Sequence, residues 1–202
     1  MPHVKTAVTD HQILEPLAAR WSPYAFDGRA VEHDKLLACL EAARWAASSY
    51  NEQPWHFLLA TRDDAAEFSR LLSCLLEANQ GWAANAGALL LTVVAKSFRR
   101  NGSPNRVAEH DLGLAVGNLS VQAVALGLQT HQMAGVNLSK ARQTYGIPDG
   151  FEPVTVVAIG YPAELDPSDP SPLAERDRTA RQRKPLRDFV FSGAWQKPHQ
   201  DV

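Results

Sequence analysis

What the sequence has little of narrows the possibilities first. Only two cysteines occur in 202 residues, Cys39 and Cys74, each beside leucines in a helical pattern. That count excludes a disulfide framework and leaves two buried free thiols in a reducing compartment. No G-x-G-x-x-G, no G-x-x-x-x-G-K-(S/T) and no G-x-S-x-G occurs, which disfavours a Rossmann site, a P-loop and a hydrolase elbow. Without that elbow, Ser48, Ser49 and His56 have no nucleophile context, and His56 reads as a half-buried strand residue. His110, Asp111 and His131 lack the H-E-x-x-H or C-x-x-C spacing of a metal site. Neither sign of charge is in excess: a net charge of -2 and a pI near 6.4 provide no broad basic field, so nucleic acid is not expected as a partner. The longest apolar run, Leu112 to Leu128, is interrupted by Asn118, Ser120 and Gln122, so no membrane span is expected. The first ten residues have no apolar signal-peptide core, and a cytoplasmic protein is the expectation.

What is present is ordinary globular material, 45% hydrophobic and 21% charged, enough for a single domain over residues 1–202. Leu36, Leu37, Leu40, Ala43 and Ala47 recur at helical spacing and run into Ser48-Ser49-Tyr50-Asn51-Glu52-Gln53-Pro54, after which Trp55 to Thr61 reads as a strand. This helix-to-strand turn forms a polar shelf between two tryptophans, with Pro54 biasing Gln53 toward extended backbone. Residues 11–19 read as a short helix. One helix starts near Asp63, carries Phe68, Leu71, Leu72, Leu75 and Leu76 on one stripe, and fades at Asn79-Gln80-Gly81-Trp82. Ala88 to Ala95 is an apolar strand, Lys96 to Asn105 a mobile loop, and Arg106 to Leu128 the most apolar helix. On that helix Asp111, Asn118, Gln122 and Gln129 share one polar face, while Gly113 and Gly117 would admit a second backbone. A short helix capped by Ser139 stops at Gly146, and Val154 to Ile159 is a β-branched strand. Residues 162–180 read as a surface loop or crossover, and 181–202 as a C-terminal tail. Arg20 and Ser22, stiffened by Pro23, can grip a phosphate, and Arg181 and Arg183 alternate on one side of an extended segment so that both can reach one.

Several of these stretches together resemble the FMN-dependent nitroreductase family from about Arg20 to Leu186. The shelf resembles its P-S-S-x-N-x-Q-P-W segment, with Ala47 in place of the proline. Arg20, Ser22 and Phe26 match its opening R-x-S-x-(R/K)-x-F, except that Tyr24 stands where the family places a cation. Gly127-Leu128 to Gly135-Val136 resembles A-x-x-x-G-L-G-x-x-x-x-x-G-(F/V), and Gly160-Tyr161-Pro162 closes the last strand as relatives do. The resemblance implies an α+β fold with a central mixed sheet flanked by helices, paired as a homodimer through the long central helix. It implies FMN held by Arg20, Trp21, Ser22, Tyr24, Ala47, Ser48, Ser49, Asn51, Gln53, Asn79, Trp82, Met133, Ala134, Gly135, Arg181 and Arg183. Within that set, Arg20, Ser22, Arg181 and Arg183 would take the phosphate, Asn79 the pyrimidine, and Ala134 and Gly135 the ring near N5.

The activity so implied is ping-pong hydride transfer through the flavin from NAD(P)H to a nitroaromatic, quinone or similar small acceptor, with no side chain acting as acid, base or nucleophile. Tyr24 and Trp82, neither of them charged, motivate an alternative: a flavin-binding or flavin-handling protein with little reductase turnover. A dimeric small-molecule binder without flavin is the third reading.

Overall fold

The computed structural model describes residues 3–164 and 166–202; Met1, Pro2 and Leu165, which the leader and crossover readings include, lie outside the described residues. In chain order it holds α1 (Glu15–Ala19), α2 (His33–Arg44), β1 (Trp55–Thr61), α3 (Ala65–Leu72), α4 (Glu77–Ala83), β2 (Ala88–Ala95) and α5 (Ala108–Ala125). β3 (Gln129–Met133), α6 (Leu138–Tyr145), β4 (Phe151–Gly160) and α7 (Pro172–Arg178) follow.

The strands form one sheet in the order β1-β2-β4-β3. The expected α+β class holds, but the sheet is not of mixed direction: each of its three pairings is antiparallel. The physical reason is connection. The α3–α4 and α6 segments hand the chain back beside the strand it left, reversed, and no right-handed crossover builds a parallel neighbour.

β2 is an inner strand, buried along nearly its whole length and apolar except for Thr92, so alternate side chains feed two cores. Leu89, Leu91 and Val93 pack with Phe68, Leu71 and Trp82 on the α3–α4–α6 side. Ala88, Leu90 and Val94 pack with Cys39, Leu112 and Leu119 on the α2–α5 side. Leu89, Leu90 and Leu91 are fully buried, and each such side chain contributes about 2 kcal/mol. No described helix is long and apolar enough to cross a membrane.

Several boundaries differ from the sequence reading. The helix expected to fade at Asn79 is two helices, and Asn79 sits inside α4 rather than at a C-cap. α6 is capped by Asn137, whose side chain accepts from the Lys140 N–H, and not by Ser139; Gly146 does end it in the left-handed region at φ 59°. The four polar residues assigned to one face of α5 separate: Asp111 is buried, Asn118 is exposed, and Gln129 opens β3. The crossover contains α7, and the Lys96–Asn105 loop is pinned, since Glu52 accepts from the Arg99 N–H and Nε.

Gly160 matters to the site through close approach. A Cβ there would lie 2.9 Å from Phe26 Cδ1 and from the Gly87 nitrogen, so its absence lets the segment after Arg20 lie across the sheet end. Phe26 bridges Pro162 there, and the Asp27 N–H donates to Tyr161 O.

Candidate functional site

The site begins with three guanidinium groups. Arg20, Arg181 and Arg183 line one cavity of about 760 Å³ between the residues before α1 and the segment after α7. Arg20 Nη1 donates to Ser22 Oγ at 3.4 Å. Among the described residues no acid forms an ion pair with any of the three, although Asp10 also lines the cavity. Burial pushes the Arg20 guanidinium below its usual range, and the charge of Arg183 pushes it further. Arg181 moves the same way, by burial and then by Arg20 and Arg183. Clustered cations without counter-charge make a receptor for an anion.

The three arginines do different work. Arg181 donates from Nε to Lys5 O at 2.6 Å and from its two Nη groups to Arg20 O and Ala18 O, so it ties the tail to the N-terminal segment. Arg183 is exposed, its Nη1 reaching only Gln182 O. Arg20 is held from behind, because the Trp21 N–H donates to Gln129 Oε1 and Gln129 Nε2 donates to Ala19 O.

From the grip a chain of contacts leads to the end of β3. Tyr24 meets Trp82 edge-on at 5.2 Å and His131 at 4.7 Å, and Trp82 lies against His131 at 4.5 Å. Trp82 Nε1 donates to Asn79 Oδ1, and Asn79 Nδ2 donates to Gly135 O at 3.2 Å. A Cβ on Gly135 would lie 2.3 Å from Asn79 Nδ2, so only glycine permits this cradle. Trp21, Trp82 and Met133 are themselves buried and support the site from within the core, while Ala134 is exposed beside Gly135. Burial holds the His131 imidazole below its usual range, partly opposed by its 2.8 Å bond to Pro23 O.

Sequence reasoning missed α7's part in this. Asp177, 1% exposed, accepts from the Tyr24 and Ala25 N–H groups, each at 2.9 Å, and the adjacent Arg176 donates to the Tyr24 hydroxyl at 2.9 Å. Two consecutive residues thus hold Tyr24 by backbone and phenol, and bring a cation to the position whose own side chain has none. Burial raises the Asp177 carboxyl, against the pull of those two N–H groups. A lone aspartate between arginines in a polar, proline-rich stretch carries no sequence signal for such a role.

The shelf stands elsewhere. Tyr50, Asn51 and Gln53 all have left-handed φ values, 54°, 55° and 53°, so the expectation of an extended Gln53 is corrected. A ring of bonds overrides the bias from Pro54: Ser48 Oγ accepts the Gln53 N–H at 3.0 Å, and Gln53 Nε2 donates to Asn51 Oδ1 and O. The Ser49 N–H donates to Asp111 in the first turn of α5, whereas the Arg20 grip is fastened to Gln129 beyond that helix's other end. Eighteen residues of helix span about 27 Å. Asn51 and Gln53 line a separate hollow of about 260 Å³ with Trp45, and Ala47 is exposed beside it. One copy therefore brings together Arg20, Trp21, Ser22, Tyr24, Asn79, Trp82, Met133, Ala134, Gly135, Arg181 and Arg183, but not Ala47, Ser48, Ser49, Asn51 and Gln53.

Comparison with known proteins gives this geometry a context. A crystal structure of an FMN-containing oxidoreductase superposes with a TM-score of 0.87 at 33% identity, covering 98% of this chain and 100% of that one. A nitroreductase family protein of Clostridium difficile 630 shares the fold with a TM-score of 0.69 at 22% identity, covering 91% and 99% of the two chains. An uncharacterised 15.4 kDa protein of Mycolicibacterium smegmatis is 35% identical over 136 residues, 67% of this chain and 90% of its own. An Archaeoglobus fulgidus protein with the provisional name NADH dehydrogenase/NAD(P)H nitroreductase is 28% identical over 165 residues, 76% of this chain and 87% of its own. Residues 17–161 match the family profile itself, and the chain belongs to the nitroreductase family.

Proposed function

We propose that the protein is an FMN-dependent oxidoreductase that takes hydride from NAD(P)H and passes electrons to a small acceptor such as a nitroaromatic or quinone. The observation that carries this reading is the convergence of Arg20, Arg181 and Arg183 on one cavity, unpaired with any acid among the described residues, with Ser22 bonded to Arg20 and the Asn79–Gly135 cradle reached through Tyr24 and Trp82. The residues fit the group: a phosphate dianion would offset the burial, and then the mutual repulsion, that depress the Arg20 and Arg181 guanidinium groups. The cradle offers amide and backbone groups of the kind a pyrimidine edge needs. Bound there, FMN would supply two-electron transfer between a reduced nicotinamide and an acceptor. Arg20 and Arg183 would hold its phosphate, Arg181 would keep the tail in place, and Asn79 with Gly135 would orient the ring.

The separation of shelf and grip supports a second element, a homodimer. α5 leaves Gly113, Leu114 and Gly117 exposed on one face. Two copies of that helix running antiparallel about a twofold axis would set the shelf of one beside the grip of the other and complete the site. The two buried free cysteines, Cys39 and Cys74, are in keeping with a cytoplasmic enzyme. Protein purified with excess FMN should show a flavin absorbance band, sediment as a dimer and oxidise NAD(P)H when a nitroaromatic is added. A colourless monomer that no added FMN stains would overturn the proposal, and flavin without turnover would favour a flavin-handling role.

A further inference from the structure

One part of the shelf is used by neither the grip nor the cradle. Tyr50 is 72% exposed and held at φ 54°, ψ 23°, a left-handed conformation that costs a bulky residue about 1 kcal/mol or more. Its neighbours fix it there, because Ser49 is tied to Asp111 and the next residue but one, Glu52, is tied to Arg99. Over the Tyr50 ring lies the Arg100 guanidinium, 3.8 Å from the centroid, with Phe98 edge-on to Tyr50 at 5.8 Å and 5.6 Å from the guanidinium. Arg100 is exposed, and among the described residues it forms no ion pair and donates no hydrogen bond. Glu52 feels its charge but is already occupied by Arg99, so Glu52, Arg99 and Arg100 together carry one net positive charge.

We infer that this platform binds the phosphorylated adenosine of the electron donor, and so makes the protein select NADPH over NADH. A guanidinium lying over an aromatic ring with no other partner has N–H donors free for a phosphate and a planar surface on which a purine can stack. An adenosine 2′-phosphate presents both groups together, whereas NADH offers a hydroxyl in place of the phosphate. The strain at Tyr50 keeps the ring presented before the nucleotide arrives, which lowers the ordering needed on binding. This inference rests on the proposed function, since it assigns the donor of that same reaction.

The test pairs nucleotide binding with turnover, using the full chain supplied with FMN. Adenosine 2′,5′-bisphosphate should bind about tenfold more tightly than 5′-AMP, as one charge-assisted contact implies, and Arg100→Ala should abolish the difference while Arg100→Lys keeps part of it. In turnover the ratio of kcat/KM for NADPH to that for NADH should fall about tenfold in Arg100→Ala. Equal binding of the two nucleotides by the unmodified chain, or a difference that survives Arg100→Ala, would overturn the inference. So would an Arg100 dependence seen only with a carboxylated acceptor such as 4-nitrobenzoate. If no flavin binds yet bisphosphate selectivity still follows Arg100, the proposed function fails and the platform stands; if bound flavin is reduced equally by both nucleotides, the reverse holds.

Discussion

At the scale of single residues, the three arginines separate two kinds of basic side chain that a sequence displays identically. Arg183 adds charge to a crowded cavity and bonds only its neighbour's carbonyl, so Arg183→Ala should weaken FMN binding about tenfold without lowering the melting temperature of the flavin-free protein. Arg181→Ala removes bonds to Lys5, Ala18 and Arg20, and should lower that melting temperature by several degrees, roughly the effect of losing 1–2 kcal/mol. Calorimetry with and without FMN distinguishes them. Asp177→Ala leaves the Tyr24 and Ala25 N–H groups unpaired, and should destabilise by about 1–3 kcal/mol in urea unfolding. Cys39, buried and with its thiol pushed up to about 11, should resist thiol reagents until the chain is unfolded. Of these roles, the sequence offered Arg20, Ser22 and the Arg181/Arg183 pair as phosphate grips by their chemistry and spacing, and the family resemblance singled them out. Arg176 and Asp177 were not visible, because a role played entirely through contact with Tyr24, 152 or more positions away, leaves no local pattern.

At the scale of elements, legibility followed periodicity. β2 was readable to the residue, and most of α2 from its apolar spacing, because their neighbours demand buried side chains at fixed intervals. The division of α3 from α4 was not, since Leu75 belongs to the same apolar stripe while its backbone turns aside to bridge Val136. The left-handed shelf was equally hidden, because side-chain bonds inside a single turn overrode the dipeptide rule at Pro54. α5 offers the sharpest element-level test. A Cβ on Gly117 meets nothing within 4 Å in the single copy, so Gly117→Gln should leave the monomer stable, or firmer by up to about 1 kcal/mol. If α5 pairs closely with a second α5, the same change should shift sedimentation toward monomer and release FMN. A dimer unaffected by Gly117→Gln would place the interface elsewhere.

At the scale of the molecule, two cores pack on opposite faces of one sheet, and the burial of one histidine makes stability fall in acid. An unfolded imidazole titrates near 6.5, and His131 titrates lower in the fold because burial disfavours its charge. Below about pH 6.5 the unfolded chain therefore takes up more protons than the folded one, so stability is complete above that value and declines as pH falls through it. Melting temperatures measured from pH 7.5 to 5.5 should decrease, and His131→Asn should flatten that slope at the expense of the ring contacts with Tyr24 and Trp82. The bonds from Arg181 to Lys5, Ala18 and Arg20 have a further consequence, for synthesis rather than for chemistry. They join positions at least 161 apart, so while the ribosome still holds the last stretch of the chain, the anion pocket has only half its walls. If flavin binds there as proposed, its capture must wait until Arg181 has left the ribosome, and a released chain truncated before Arg181 should keep its sheet but fail to capture flavin.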